Sequence, residues 1–171
     1  DMKDRYVEAF SQLESALAGN GPSWLQPIRR SAISRFMELG FPTARDEAWR
    51  FTNVSPIAAI PFSAVARDEL DGLHVEALAD VPCPALVSCR LVFVNGRYAP
   101  ELSRGQLPAG GTLGSLAALL QTRPDTLEPY LAQQQAHPEP HAFAALNTAF
   151  FSDGAFVHLP QDVVLDHPIH L

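Results

Sequence analysis

Two histidines four residues apart can grip one metal ion from a single helix face, and His137 and His141 have that spacing. Pro138 and Pro140 stand at and beside the intervening positions, and a proline inside a helix removes a backbone donor and clashes with the preceding turn. The pair is therefore expected in a proline-rich linker with His141 at the start of the next helix, and a loop metal site is the weaker alternative. Cys83 and Cys89 are spaced too widely for a zinc knuckle, with Pro82 and Pro84 flanking the first, so buried or idle thiols are expected. His158, Asp162, Asp166, His167 and His170 form the densest cluster of ligand types. Strand alternation would aim His158 and His170 outward, yet no three of these residues sit at a recognised metal spacing.

Other chemistries find less support. Asp46 and Glu47 are adjacent, so a helix points them apart and they cannot act as a carboxylate pair; Glu47 is expected to cap or to pair with Arg45 or Arg50. Gly105, Gly110, Gly111 and Gly114 lack the lysine and spacing of a phosphate loop, and there is no Gly-x-Ser-x-Gly elbow. Trp24 and Trp49 at the edges of helical patterns are expected to be core anchors rather than a binding face. No catalytic, cofactor-binding or metal residue is assigned.

Composition bounds the rest. The 171 residues are 47% hydrophobic and 18% charged, which describes a globular chain with a sizeable core. The net charge of -7 disfavours a phosphate-neutralising surface, so nucleic acid is not an expected partner. The apolar runs fall far short of the roughly 20 residues that cross a bilayer, and no cleavable leader opens the chain, so a cytoplasmic protein is expected.

The elements that would position these residues read as α+β. Tyr6, Phe10, Leu13 and Leu17 line one face of a helix over 3–18, and Leu25, Ile28, Ala32, Phe36 and Leu39 line a second, capped by Ser23 and ended by Gly40. The two are expected to form an antiparallel pair, with a short helix over 44–51 anchored on it by Trp49. Leu91–Val94 and Arg97–Leu102 flank Asn95-Gly96 as a hairpin. Ser115 caps a helix to Gln121, and Asp125 with Glu128 forms a capping box for a helix through Gln134. Phe143, Leu146 and Phe150 mark the last helix, with Gly154 turning left-handed beyond it. Strands are expected at 155–159 and 163–166, and Pro168–Leu171 reads as a strand entering a sheet. The expected organisation is a helical region over 1–62, a connector with hairpin and two short helices over 63–140, and a helix with strands over 141–171.

Two stretches carry a family resemblance. The order Pro42, Thr43, Glu47, Trp49, Thr52 after Gly40-Phe41 and the run Phe143–Val157, with Asn147, Asp153 and Gly154, resemble the N-terminal part of the SufB/SufD family of iron–sulfur cluster assembly proteins. The first order is closer to the SufD branch. The resemblance implies that these residues are structural family-motif positions. It further implies a helical N-terminal region leading into the first strands of a right-handed parallel β-helix, truncated here. The implied role is that of a non-catalytic scaffold which pairs with SufB and with the ATPase SufC, mainly through regions beyond this chain, in an assembly that builds clusters. The family's cysteine and histidine near the SufB–SufD interface lie in later parts of the chain, so Cys83 and Cys89 inherit no role, and no cofactor is expected on this stretch. Unpaired terminal strands would favour self-association of the fragment. The rival is a β-helix carbohydrate-active or carbohydrate-binding protein using Asp153, Asp162 and Asp166.

Overall fold

The structure is a computed structural model that describes residues 2–17, 21–62, 89–133 and 141–171. Its elements are α1 (Met2–Ala16), α2 (Leu25–Leu39), a 3-10 turn (Glu47–Trp49), α3 (Ser55–Ala59), β1 (Cys89–Arg90), β2 (Phe93–Val94) and β3 (Arg97–Tyr98). A second 3-10 turn (Pro100–Leu102), β4 (Thr112–Ser115), α4 (Leu116–Thr122), α5 (Pro124–Leu131), α6 (Ala142–Phe150), β5 (Ala155–His158) and β6 (Ile169–His170) follow. The fold class is α+β. Cys83, His137, Gln134 and the prolines around His137 lie outside the described residues.

The chain divides into two compact units, Asp1–Ala64 with Leu120–Phe151 and Val65–Leu119 with Ser152–Leu171. In the first, α2 finds its most extensive partner in α6. The expected α1–α2 pair is thus the lesser contact. The reason lies in α6, where Ala142, Ala145 and Ala149 recur at helical spacing and let a second backbone approach Ala32, Ile33 and the fully buried Phe36. Large rings fill what the alanines leave. Tyr6 meets Phe36, Phe41 and Phe150 edge to face at 5.4, 5.6 and 6.4 Å, and Phe10 meets Phe150 at 6.0 Å.

Helix ends follow local chemistry, with two corrections. Gly40 adopts φ 68° and returns its N–H to Phe36, ending α2 as expected. Its start is different: Trp24, already helical in φ and ψ, holds the cap position without a side-chain bond, so Ser23 does not cap. At α5, Pro124 occupies the first turn with Arg123 as the flanking residue, which moves Asp125 inside the helix and leaves the expected capping box unformed. The 44–51 helix is only a 3-10 turn, closed by Trp49 N–H to Asp46 (2.8 Å) and Arg50 N–H to Glu47 (3.2 Å). α3 was not anticipated; Asn53 accepts Ser55 N–H at its start.

The second unit is built from three two-stranded sheets among the described residues. Asn95 (φ 49°) and Gly96 (φ 78°) supply the left-handed pair that a two-residue hairpin needs, and Phe93 faces Tyr98 across β2–β3. The return strand ends at Tyr98, because Pro100 opens a 3-10 turn where extension to Leu102 was expected. Ser115 caps α4 by accepting Ala118 N–H. β4 and β5 pair antiparallel from Thr112–His158 to Ser115–Ala155, and β1 pairs parallel with β6 through Cys89–Ile169 and Arg90–His170. The strand expected at 163–166 is absent, since Asp162 turns left-handed (φ 64°) and Val163 N–H closes on Pro160. Gly154 is not left-handed either; Phe151 ends α6 in an extended conformation.

Candidate functional site

The first cluster is the signature segment. Thr43 and Asp46 stand three apart, so the Asp46 carboxylate reaches back to accept Thr43 N–H (2.7 Å) and its hydroxyl (3.2 Å), while Thr43 Oγ1 accepts Arg45 N–H (3.2 Å). Asp46 therefore does what Glu47 was expected to do. Glu47 contributes its carbonyl, and no ion pair joins it to Arg45 or Arg50 among the described residues. Pro42 is half-buried and Thr52 closes the turn with its N–H on Trp49 (2.9 Å). Trp49 anchors on α6 rather than on the α1–α2 pair: its half-buried ring lies 5.1 Å from His141 and 5.3 Å from Phe143.

The second cluster surrounds Asp153. Its Oδ1 accepts Ser115 Oγ (2.7 Å), Ala117 N–H (3.0 Å) and Gly154 N–H (2.8 Å), and its Oδ2 accepts Tyr98 N–H (2.9 Å). One side chain thus ties β3, the β4–α4 junction and the start of β5. The carboxylate suits the job because an anion both satisfies orphan N–H groups of a helix start and strengthens each bond it accepts. Nothing in the local pattern around Asp153 announces partners 36 to 55 residues away. Asn147 is exposed on α6, where its carbonyl accepts Phe151 N–H (2.8 Å).

Arg29 forms the third. It is 4% exposed, its Nη2 donates to the Phe151 carbonyl (2.7 Å), and its guanidinium lies 4.7 Å from the centre of the Phe151 ring. Desolvation lowers its pKa from the usual arginine value. The carbonyl end of α6 offers the partial negative charge that a carboxylate would otherwise supply. Helical spacing puts Arg29 on the apolar face of α2, four residues after Leu25 and three before Ala32, and turns the exposed Arg30 beside it away.

A cleft of about 330 Å³ in the second unit is lined by Cys89, Gln106, Leu107, Leu165, Asp166 and His167 among others. Cys89 is buried as expected, with its thiol donating to the Gln106 carbonyl at 3.0 Å. Of the His/Asp cluster, only Asp166 and His167 reach this cleft. His158 falls on the less exposed side of β5, opposite to the expected outward aim, and His170 is half-buried with its carbonyl accepting Leu91 N–H. Among the described residues, no three His, Cys, Asp or Glu side chains are grouped to hold a metal ion. No described helix is long and apolar enough to cross a membrane.

These clusters anchor backbone at the very stretches, 42–52 and 143–157, whose order marks a family. A model of the SufBD protein N-terminal region matches residues 1–171. An iron–sulfur cluster assembly SufBD family protein of Synechocystis is 35% identical over 98% of this chain and 36% of its own length. SufD of Bacillus subtilis is 23% identical over 96% of the chain and 37% of its own length, and SufD of Escherichia coli 34% identical over 45% of the chain. The chain spans little more than a third of the length of the Synechocystis and Bacillus subtilis relatives. With the family model matching every residue of it, this chain belongs to the SufBD family of iron–sulfur cluster assembly proteins, and its resemblance is to the N-terminal region of SufD.

Proposed function

We propose that the chain is the N-terminal part of a SufD-like, non-catalytic scaffold subunit that works in the cytoplasm with SufB- and SufC-like partners. The match over the whole chain carries this reading, and the family membership displaces the carbohydrate-protein rival. The chemistry of the charged side chains supports it. Asp153 has both oxygens engaged by backbone and hydroxyl donors, and Arg29 is turned onto a carbonyl and a ring. Both brace the chain. The parallel β1–β6 pair shares the strand direction of neighbouring coils in a parallel β-helix, although the 80 positions between its strands exceed the roughly 20–45 residues of one solenoid repeat.

Co-expression of the full-length gene with SufB- and SufC-like genes of the same organism tests the proposal. A stoichiometric complex that survives size exclusion is expected, with no ATP hydrolysis by this subunit alone. A subunit that elutes apart from both partners at micromolar concentration would overturn it.

A further inference from the structure

Phe51 is 93% exposed, although the chain on both sides of it is fixed. Trp49 packs at a tilt against His141 and Phe143, the Thr52 N–H is bonded to the Trp49 carbonyl, and Asn53 accepts Ser55 N–H. The Arg50 guanidinium lies 5.5 Å from the Phe51 ring centre, and among the described residues no carboxylate pairs with it. Arg50 is also the one charged residue between positions 48 and 62, a stretch in which Ile57, Ile60 and Phe62 are exposed by 45%, 49% and 59%. A rigidly presented aromatic ring beside an arginine has the anatomy of a binding hot spot, where little ordering entropy remains to be lost on contact. Exposure of that ring does nothing for the fold of its own unit.

We propose that Phe51 and Arg50 form a docking point for a later segment of the same full-length subunit, one that presents an apolar recess rimmed by a carboxylate. The inference rests on the reading of this chain as the N-terminal part of a longer subunit. Most of the length of the Synechocystis relative lies outside the matched region, and a tethered segment meets the docking point at a high effective concentration. Arg50 asks for a carboxylate. A second copy of the same surface would set Arg50 against Arg50 at a two-fold contact, with only Asp46 and Glu47 at the edge of the stretch to answer it, so protection of Phe51 that falls away on dilution would assign the surface to a second copy and overturn the proposal.

Hydroxyl-radical footprinting of the isolated full-length protein, read by mass spectrometry at Phe51, tests this. Oxidation roughly tenfold slower than in the urea-unfolded chain is expected, as for any group that reacts only after local opening. Arg50→Glu should bring the rate at Phe51 back toward the unfolded value while circular dichroism stays unchanged. Fast oxidation in the isolated protein would overturn the proposal. Protection that arises only when a partner protein is added would overturn it too, and would assign the surface to that partner. A free Phe51 in a subunit that still assembles with its partners refutes the docking alone; a protected Phe51 in a subunit that binds no partner refutes the scaffold reading alone. A gene that stops at Leu171 would refute the longer-subunit reading on which both depend.

Discussion

The two units are held by different physics. In the first, three helices meet through alanines and ring edges, so its order comes from shape and apolar area around Phe36. In the second, no described strand exceeds four residues and each sheet has two strands, a size at which isolated ladders are marginal. There one carboxylate replaces what a larger core would do: Asp153 collects four donors from segments spread over residues 98–154. Packing tolerates averaging, whereas a hub fails at a single atom.

Phe36→Ala is the largest test of that contrast. Phe36 is fully buried and touches Tyr6 and Phe41 edge to face at 5.4 and 5.2 Å, so truncation should cost about 3–5 kcal/mol in denaturant melts. A loss under about 1 kcal/mol would mean that the alanine seam of α6 closes over the gap. Asp153→Ala comes next, at about 3 kcal/mol, since four donors lose a charged acceptor together. Hydrogen exchange should quicken first at the amides of Tyr98, Ala117 and Gly154. Uniform quickening in both units would erase the distinction drawn between them.

Arg29 places a charge inside the apolar unit. Arg29→Ala should cost about 2 kcal/mol, through the lost Phe151 contact and the space left behind. Arg29→Met should recover most of that, because a flexible apolar chain fills the space without a desolvated cation. If Met is no better than Ala in thermal melts, the bond to the Phe151 carbonyl matters more than the packing.

How far each unit could be read in advance follows from the same contrast. α1, α2 and α6 were legible because apolar residues at helical spacing carry their own signal, as were the Asn95-Gly96 hairpin and the Ser115 cap, whose partners lie close by in the sequence. What failed was non-local or competitive. Asp153 binds across 55 residues, α6 rather than α1 became the main partner of α2, and Pro124 outcompeted the Asp125 capping box for the start of α5. At the signature, Asp46 and not the expected Glu47 meets Thr43, at the three-residue spacing of a side-chain cap. In the hairpin, where the signal is purely local, the expected effect is also simple. A methyl group at Gly96 would meet open space, but the backbone there sits at φ 78°, so Gly96→Ala should cost about 1 kcal/mol from backbone strain alone. A neutral result would show that β2–β3 adds little to the second unit.

The smallest effect is confined to alkaline pH and to the first unit. Tyr6 packs among Phe36, Phe41 and Phe150, and partial burial raises its pKa from 10.0 because the phenolate is harder to solvate there. A raised pKa in the folded state means that the folded chain holds the proton more tightly than the unfolded one. Its contribution is therefore fully present below pH 10.0 and is lost as the pH climbs through the folded-state value. Tyr6→Phe, which keeps the ring and removes the titration, should flatten part of the decline in melting temperature above pH 10.0 and leave the neutral-pH value nearly unchanged. Contributions common to both proteins cancel in the difference. If the two pH profiles run parallel, the Tyr6 hydroxyl stays in water and only its ring belongs to the aromatic cluster that distinguishes this unit from the one built around Asp153.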